Sequence, residues 1–197
     1  MITIVKWNAL FSLSLLLSLV LAAQVPPAAA SGSEVEVELE AELSNSCPTC
    51  TEVPKLKGEA EFEQEFGSDG TTLKEAKIKA KVQIPIPNPL GIDATTAGAA
   101  AVVLELSNTD PNAPYATCTL AFKKLSGKGN GNKATYELKV QTKLKGATHV
   151  AGKKQIGSCT SDAIDLNVQA GDTAIITANG TDVLSGVFGG EEEEDDD

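Results

Sequence analysis

The sequence contains no arginine, a single histidine, a single tryptophan and few aromatic residues. The missing arginines and the formal net charge of -11 argue against nucleic-acid binding, which needs a basic surface and benefits from guanidinium groups. A Ser-His-Asp arrangement would have to use His149, and no G-x-S-x-G motif accompanies it. The only tryptophan, Trp7, lies in a predicted leader, so none remains to stack against a sugar ring. These absences predict no catalytic residue and no cofactor.

The first 30 residues have the organisation of a secretory signal peptide. Lys6 precedes an apolar run from Ala9 to Ala23, and small residues ending at Ala30 follow it. The run is about fifteen residues long, shorter than the roughly 20 that a membrane-spanning helix requires. We therefore expect cleavage near residue 30 and a secreted or periplasmic protein without a transmembrane anchor.

Alternation of apolar and polar residues dominates the rest of the chain. It begins with EVEVELEAEL (34–43) and continues in the runs 57–66, 73–84, 115–125 and 133–146, whereas 97–107 is a nearly continuous apolar run that predicts a central strand covered on both faces. Three shorter runs follow at 162–168, 173–180 and 182–188. Side chains of a strand point to opposite faces in turn, so each alternating run places its apolar residues on one side of a sheet. About nine strands and no helix are predicted.

This pattern predicts an all-β fold, an antiparallel β-sandwich of immunoglobulin-like architecture, with a β-barrel as the alternative. The predicted domain covers residues 31–188. Residues 189–197 form a separate tail, GGEEEEDDD, whose seven acidic residues repel one another and favour disorder.

Two strands carry glutamate on their polar face (34–43 and 59–66), and two carry mainly lysine (74–84 and 134–146). Cross-strand pairs of opposite charge stabilise a sheet, whereas like charges directly opposite each other destabilise it. We therefore predict that each glutamate-faced strand has a lysine-faced neighbour on at least one side.

The four cysteines permit three disulfide connectivities, of which we favour Cys47–Cys50 and Cys118–Cys159. The CPTC motif also suggests a redox dithiol, but a helix normally follows such a motif and none is predicted here. Covalent haem attachment requires histidine at position 51, which is threonine. A zinc site of four cysteines would need two close pairs, and Cys118 lies far from Cys159 in sequence.

Two loops contain possible ligand or modification sites. Asn108, Asp110 and Asn112 alternate as in the beginning of an EF-hand loop, although Ala113 replaces the glycine. We interpret this segment as a turn and predict no metal site, with these three residues as the candidates should the loop bind calcium. Asn179 begins an N-x-T acceptor for glycosylation in a eukaryotic host.

The sequence thus predicts an exported, non-catalytic binding or structural module, with the loops 44–56, 85–98, 107–114 and 126–132 as contact surfaces. One alternative is a divalent-cation-binding protein that uses the acidic tail and the glutamate-faced strands. A secreted hydrolase or thiol oxidoreductase is the other. The predicted partners of the tail are divalent cations or a basic protein surface.

Overall fold

A computed structural model describes residues 35–46, 56–108, 110, 113–127 and 132–190. Within these ranges the chain forms β-strands and two short 3-10 helices, Ala97–Ala99 and Ala163–Asp165, but no α-helix. The all-β prediction is therefore confirmed. The strands are β1 (Val35–Asn45), β2 (Lys57–Phe66), β3 (Leu73–Pro85), β4 (Val102–Ser107), β5 (Ala116–Thr119), β6 (Ala121–Ser126), β7 (Lys133–Lys145), β8 (Thr148–Ala151), β9 (Ser158–Cys159), β10 (Thr173–Ala178), β11 (Thr181–Val187) and β12 (Gly189–Gly190).

The signal peptide, the Cys47–Cys50 bond and residues 191–197 of the predicted tail lie outside these ranges. Gly189 and Gly190, the first two residues of the predicted tail, instead form β12, because they pair with β1. In the part of the chain that is described, no helix is both long and apolar enough to cross a membrane.

All strands belong to one antiparallel sheet with the order β6-β7-β3-β2-β1-β11-β10-β4-β5-β9. Strand β12 also pairs with β1, and β8 pairs with β7. The sheet curls into a half-barrel, which fits the barrel alternative. The first strand meets the last two, because Leu39 and Glu40 lie opposite β12 while Ser44 and Asn45 lie opposite β11.

Strands β5 and β6 lie far apart in the sheet order but are consecutive in the chain, separated only by Leu120. Residues 156–159 bridge the seam between them: Ile156 exchanges two backbone hydrogen bonds with Lys139 of β7, and β9 pairs with β5. Gly157 lies at this crossing with a φ of +74°, and a Cβ there would collide with the carbonyl oxygen of Thr119. The crossing therefore requires glycine on both conformational and steric grounds.

The inward-facing side chains form one apolar core. In β3 the alternation predicted every buried position, namely Ala76, Ile78, Ala80, Val82 and Ile84. The largest buried side chain is Tyr136 of β7, whose hydroxyl donates a hydrogen bond to the carbonyl oxygen of Ala97 at 2.9 Å. This bond satisfies the phenol within the core.

The strand predictions failed in three places. The predicted strand 115–125 is two strands, β5 and β6, because the chain passes at Leu120 from one end region of the sheet to the other. Residues 162–168 do not form a strand, because the chain turns through the second 3-10 helix and Asn167 adopts a positive φ of 47°. The run 97–107 begins with a 3-10 turn and becomes a strand only at Val102. The short strands β8 and β9 were not predicted, since neither is long enough to show a period.

Candidate functional site

The outer surface of the sheet carries two adjacent rows of glutamates, which we call the carboxylate face. The register places each glutamate of β1 directly opposite one of β2. Its members are Glu36, Glu38, Glu40 and Glu42 of β1, opposite Glu65, Glu63, Glu61 and Glu59 of β2.

Lysines of β3 neutralise the β2 row from its other side. Lys77 binds Glu63, and Lys79 binds both Glu61 and Glu63. Lys81 lies 3.6 Å from Glu59. The prediction of a lysine-faced neighbour is thus confirmed for β2. Glu75, at the end of the same β3 row, is bound by Lys143 of β7.

The same prediction is wrong for β1. This strand pairs with glutamate-faced β2 on one side and with β11 and β12 on the other. Within the described residues, no ion pair joins its four outward glutamates to a lysine, and all four are exposed. Gly190 of β12 lies opposite Leu39, so the acidic tail is attached beside this row.

Three carboxylates of this face converge: oxygen atoms of Glu38, Glu61 and Glu63 lie within 4.8 Å of one another. Burial and a hydrogen bond with Glu63 raise the pKa of Glu61 to about 7. Burial also opposes ionisation of Glu63, but hydrogen bonds from Glu61, Lys77 and Lys79 outweigh it and lower the pKa of Glu63 to about 2. Glu61 and Glu63 therefore titrate as a pair that retains one proton in mildly acidic solution.

A second cluster lies away from this face, at the single histidine. Nδ1 of His149, on β8, is 3.8 Å from Oδ2 of Asp162 and 3.7 Å from Oδ2 of Asp165. The two aspartates flank the second 3-10 helix, and all three side chains are exposed. Sequence reasoning considered His149 only as a catalytic base and missed this group, because no period links β8 to an irregular loop.

The calcium candidates remain a prediction. Asn108 directly follows β4 and lines a surface depression of about 260 Å³ with Tyr115 and Asp172. The carbonyl oxygen of Asp110 accepts a turn hydrogen bond from the backbone N–H of Ala113 at 3.1 Å. Asn112 lies outside the described residues.

The glycosylation candidate, Asn179, occupies the turn between β10 and β11 with a φ of 49°. Its side-chain Nδ2 donates to the carbonyl oxygen of Leu90 at 2.9 Å, and its Oδ1 accepts from the backbone N–H of Ala101 at 3.1 Å. The side chain thus holds three segments together. Modification of Asn179 stays a prediction.

The disulfide between Cys118 and Cys159 is present, as predicted, and joins β5 to β9 at directly opposite positions. A crosslink that closes a loop of about 40 residues stabilises by roughly 3–4 kcal/mol in the chain-entropy model. It fastens the segment that bridges the seam.

A larger depression of about 960 Å³ lies at the end of β1 and β2 and is lined by residues that include Glu40, Leu43, Leu56 and Lys81. We assign this depression no role.

Comparison with known proteins gives no guide to the function of the carboxylate face or of the group at His149. No family model, no curated protein and no solved structure matches this chain.

Proposed function

We propose that this protein is an exported, non-catalytic binding or structural module that meets cationic partners through the carboxylate face. The observation that carries this proposal is the β1 row, whose four exposed glutamates have no lysine opposite them. A row of like charges that the fold leaves uncompensated attracts a basic surface by long-range electrostatics.

Export is supported by the leader-like first 30 residues and by the Cys118–Cys159 disulfide, since disulfides persist in oxidising compartments. The compartment we propose is the periplasm or the extracellular space. We use the term immunoglobulin-like in this proposal only for the architecture of the strands, without implying a relationship to immunoglobulins.

Binding of a synthetic ten-lysine peptide, measured at low and moderate salt, tests the role of the face. We expect the double variant Glu36→Gln/Glu40→Gln to weaken binding more than Glu105→Gln/Asp182→Asn. The control pair changes the net charge equally: Glu105 lies on β4, three strands from β1 in the sheet order, and Asp182 lies on β11 next to the end of β1 rather than beside Glu36 or Glu40. Equal weakening by both variants would show that only net charge matters and would reject the proposed surface.

The second candidate function is divalent-cation binding, which is favoured by the convergence of Glu38, Glu61 and Glu63. Oxygen ligands of this kind suit Ca²⁺. Here, however, Lys77 and Lys79 already bind two of the three carboxylates, so a cation must compete with them.

A calcium titration by calorimetry compares the natural chain, Glu38→Gln, and a chain whose tail acids are replaced by Gln and Asn. Heat lost only in Glu38→Gln assigns the cation to the face, and heat lost only in the neutral-tail chain assigns it to the tail. The absence of heat in the natural chain would refute this function.

A further inference from the structure

We propose that His149, Asp162 and Asp165 form a surface site for one divalent transition-metal ion, with Zn²⁺ as the reference ligand. One imidazole nitrogen and two carboxylate oxygens lie mutually within 4.8 Å. In a tetrahedral zinc site with bonds of about 2.0–2.1 Å, ligand atoms lie about 3.3 Å apart. The observed separations of 3.7 and 3.8 Å from Nδ1 need only a small rotation of exposed side chains to reach that value.

The orientation of Asp162 supports this assignment. Asp162 is the N-cap residue of the second 3-10 helix, a position where an aspartate commonly accepts a hydrogen bond from the first turn. Its carboxylate makes no such bond and instead turns toward His149. The carboxylate of Asp162 thus lies near His149 and does not accept a hydrogen bond from the backbone of the first helical turn.

The backbone that carries these side chains is held in place from several sides. The backbone N–H of Ala163, between the two aspartates, donates to Oγ1 of Thr142 on β7 at 3.1 Å, and Ala163 is fully buried. Thr160 donates its backbone N–H to the carbonyl oxygen of Thr117 at 2.9 Å. The disulfide at Cys159 is only three residues before Asp162. A site whose supports are fixed loses little conformational entropy when a ligand binds.

The loop between His149 and the aspartates is fixed as well. The side chain of Gln155 exchanges two hydrogen bonds with the backbone of Gln141, at 3.0 and 2.7 Å, and so imitates a paired strand. Gly152 adds a backbone bond to the same carbonyl oxygen at 2.7 Å. The metal would therefore join β8 to the second 3-10 helix, which follows the bridging segment 156–159 in the chain.

The ligand set also indicates the class of metal. Imidazole suits Zn²⁺, Co²⁺, Ni²⁺ and Cu²⁺, whereas Ca²⁺ and Mg²⁺ prefer sites made of oxygen ligands alone. Three protein ligands leave at least one coordination position for water or for a group from a partner. Among the described residues no lysine is paired with Asp162 or Asp165, unlike the cluster at Glu38, so the metal displaces no ion pair with lysine.

The single histidine makes the test direct, since all imidazole signals in a nuclear magnetic resonance spectrum of the tag-free full chain belong to His149. We expect Zn²⁺ to shift these signals until one equivalent is bound, in the presence of excess Ca²⁺. We expect Asp165→Asn to weaken zinc binding about tenfold or more, the scale on which lost supporting groups act at metal sites. Asp182→Asn, the same chemical change at an exposed position on β11, should bind zinc like the natural chain.

Two results would overturn the proposal. One is zinc binding that leaves the His149 signals unchanged, which would place the ion on the tail or the carboxylate face. The other is equal zinc affinity in Asp165→Asn and the natural chain. Should Asp165→Asn fail to fold, the signals of the natural chain decide the question alone.

Discussion

Strand β2 is flanked by two very different neighbours. On one side its glutamates meet Lys77, Lys79 and Lys81 of β3, and on the other they meet the glutamates of β1. Both pairings nevertheless extend over nearly the whole of β2, and the only irregularity is a register shift between Glu65 and Phe66 on the β3 side. Surface charge therefore does not decide which strands pair in this sheet.

What the two pairings share is their inner face. Phe62 lies opposite Leu39 of β1 and opposite Ile78 of β3, and it is fully buried. Burying an apolar side chain of this size stabilises by about 1.5–3 kcal/mol, whereas a cross-strand charge pair contributes roughly 0.2–1 kcal/mol. The apolar core outweighs the repulsion between the glutamate rows, and the outer face is left free to differ.

The largest effect is expected from breaking the shared inner face. Phe62→Ala should lower the free energy of unfolding by about 3–5 kcal/mol, because it removes a buried ring and leaves a cavity. Denaturant unfolding measures the change. A loss below about 1 kcal/mol would mean that the core does not hold the two pairings together.

A smaller effect is expected from removing the central lysine. Lys79→Met leaves Glu61 and Glu63 without their common partner while keeping an unbranched side chain. We expect a loss of about 1 kcal/mol, because the partly exposed pairs are screened by solvent. Lys124→Met serves as the control, since Lys124 is an exposed lysine of β6. Similar losses of stability in both variants would contradict a stabilising role of the ion pairs that Lys79 makes with Glu61 and Glu63.

A lysine placed on β1, the other neighbour of β2, should have the opposite effect and stabilise the protein. Glu40→Lys places a positive charge opposite Glu61 and should stabilise the protein by about 0.5 kcal/mol at low salt. The gain should shrink in 1 M salt because exposed charges are screened. Glu105→Lys changes the net charge equally at a position off the carboxylate face. An equal gain there would attribute the effect to net charge.

The smallest effect is expected from moderate acidification, since both carboxyl groups concerned are partly solvated. The raised pKa of Glu61 means that the folded state holds this proton more tightly, so stability is lost as pH rises toward 7. The lowered pKa of Glu63 acts in the other window, and its stabilisation is lost as pH falls toward 2. Asp69 and Asp93, whose pKa values hydrogen bonds from nearby threonines lower to about 2, act in the same direction as Glu63.

Thermal unfolding across this range should therefore show a maximum near about pH 5. Glu61→Gln should flatten the decline above that maximum, and the acid side should be kept because the Gln amide can still donate a hydrogen bond to Glu63. A steady rise in stability up to pH 8 would contradict the proton sharing between Glu61 and Glu63.

The sequence predicted the strands in which apolar and polar residues alternate regularly. In β3 the alternation is unbroken, and Ile78 and Val82 are buried as predicted. The residues of a strand do not by themselves determine which strand pairs with it. Charge alone therefore led us to predict a lysine-faced neighbour for β1, which it does not have. Ile164, Leu166 and Val168 imitate a strand by their spacing, but the positive φ of Asn167 bends the chain out of it.

The candidate sites were predictable to different degrees. The carboxylate face follows from the regular spacing of its glutamates, and only its pairing had to come from the structure. The group at His149 depends on where an aperiodic loop crosses β7, and no pattern of residue types encodes that path. The Cys118–Cys159 bond lies between these cases. Four cysteines allow only three disulfide connectivities, and the register of β5 and β9 then places Cys118 directly opposite Cys159.

The antiparallel meeting of β1 with β11 and β12 has a consequence for how the chain acquires its structure. Contacts this distant in sequence form slowly and only when nearly the whole polypeptide is available. The first hundred residues contain β2, which pairs with one side of β1, but neither β11 nor β12, which pair with the other side. An unpaired strand edge is a template for association with other chains, so we expect a prematurely ended product to be prone to aggregation.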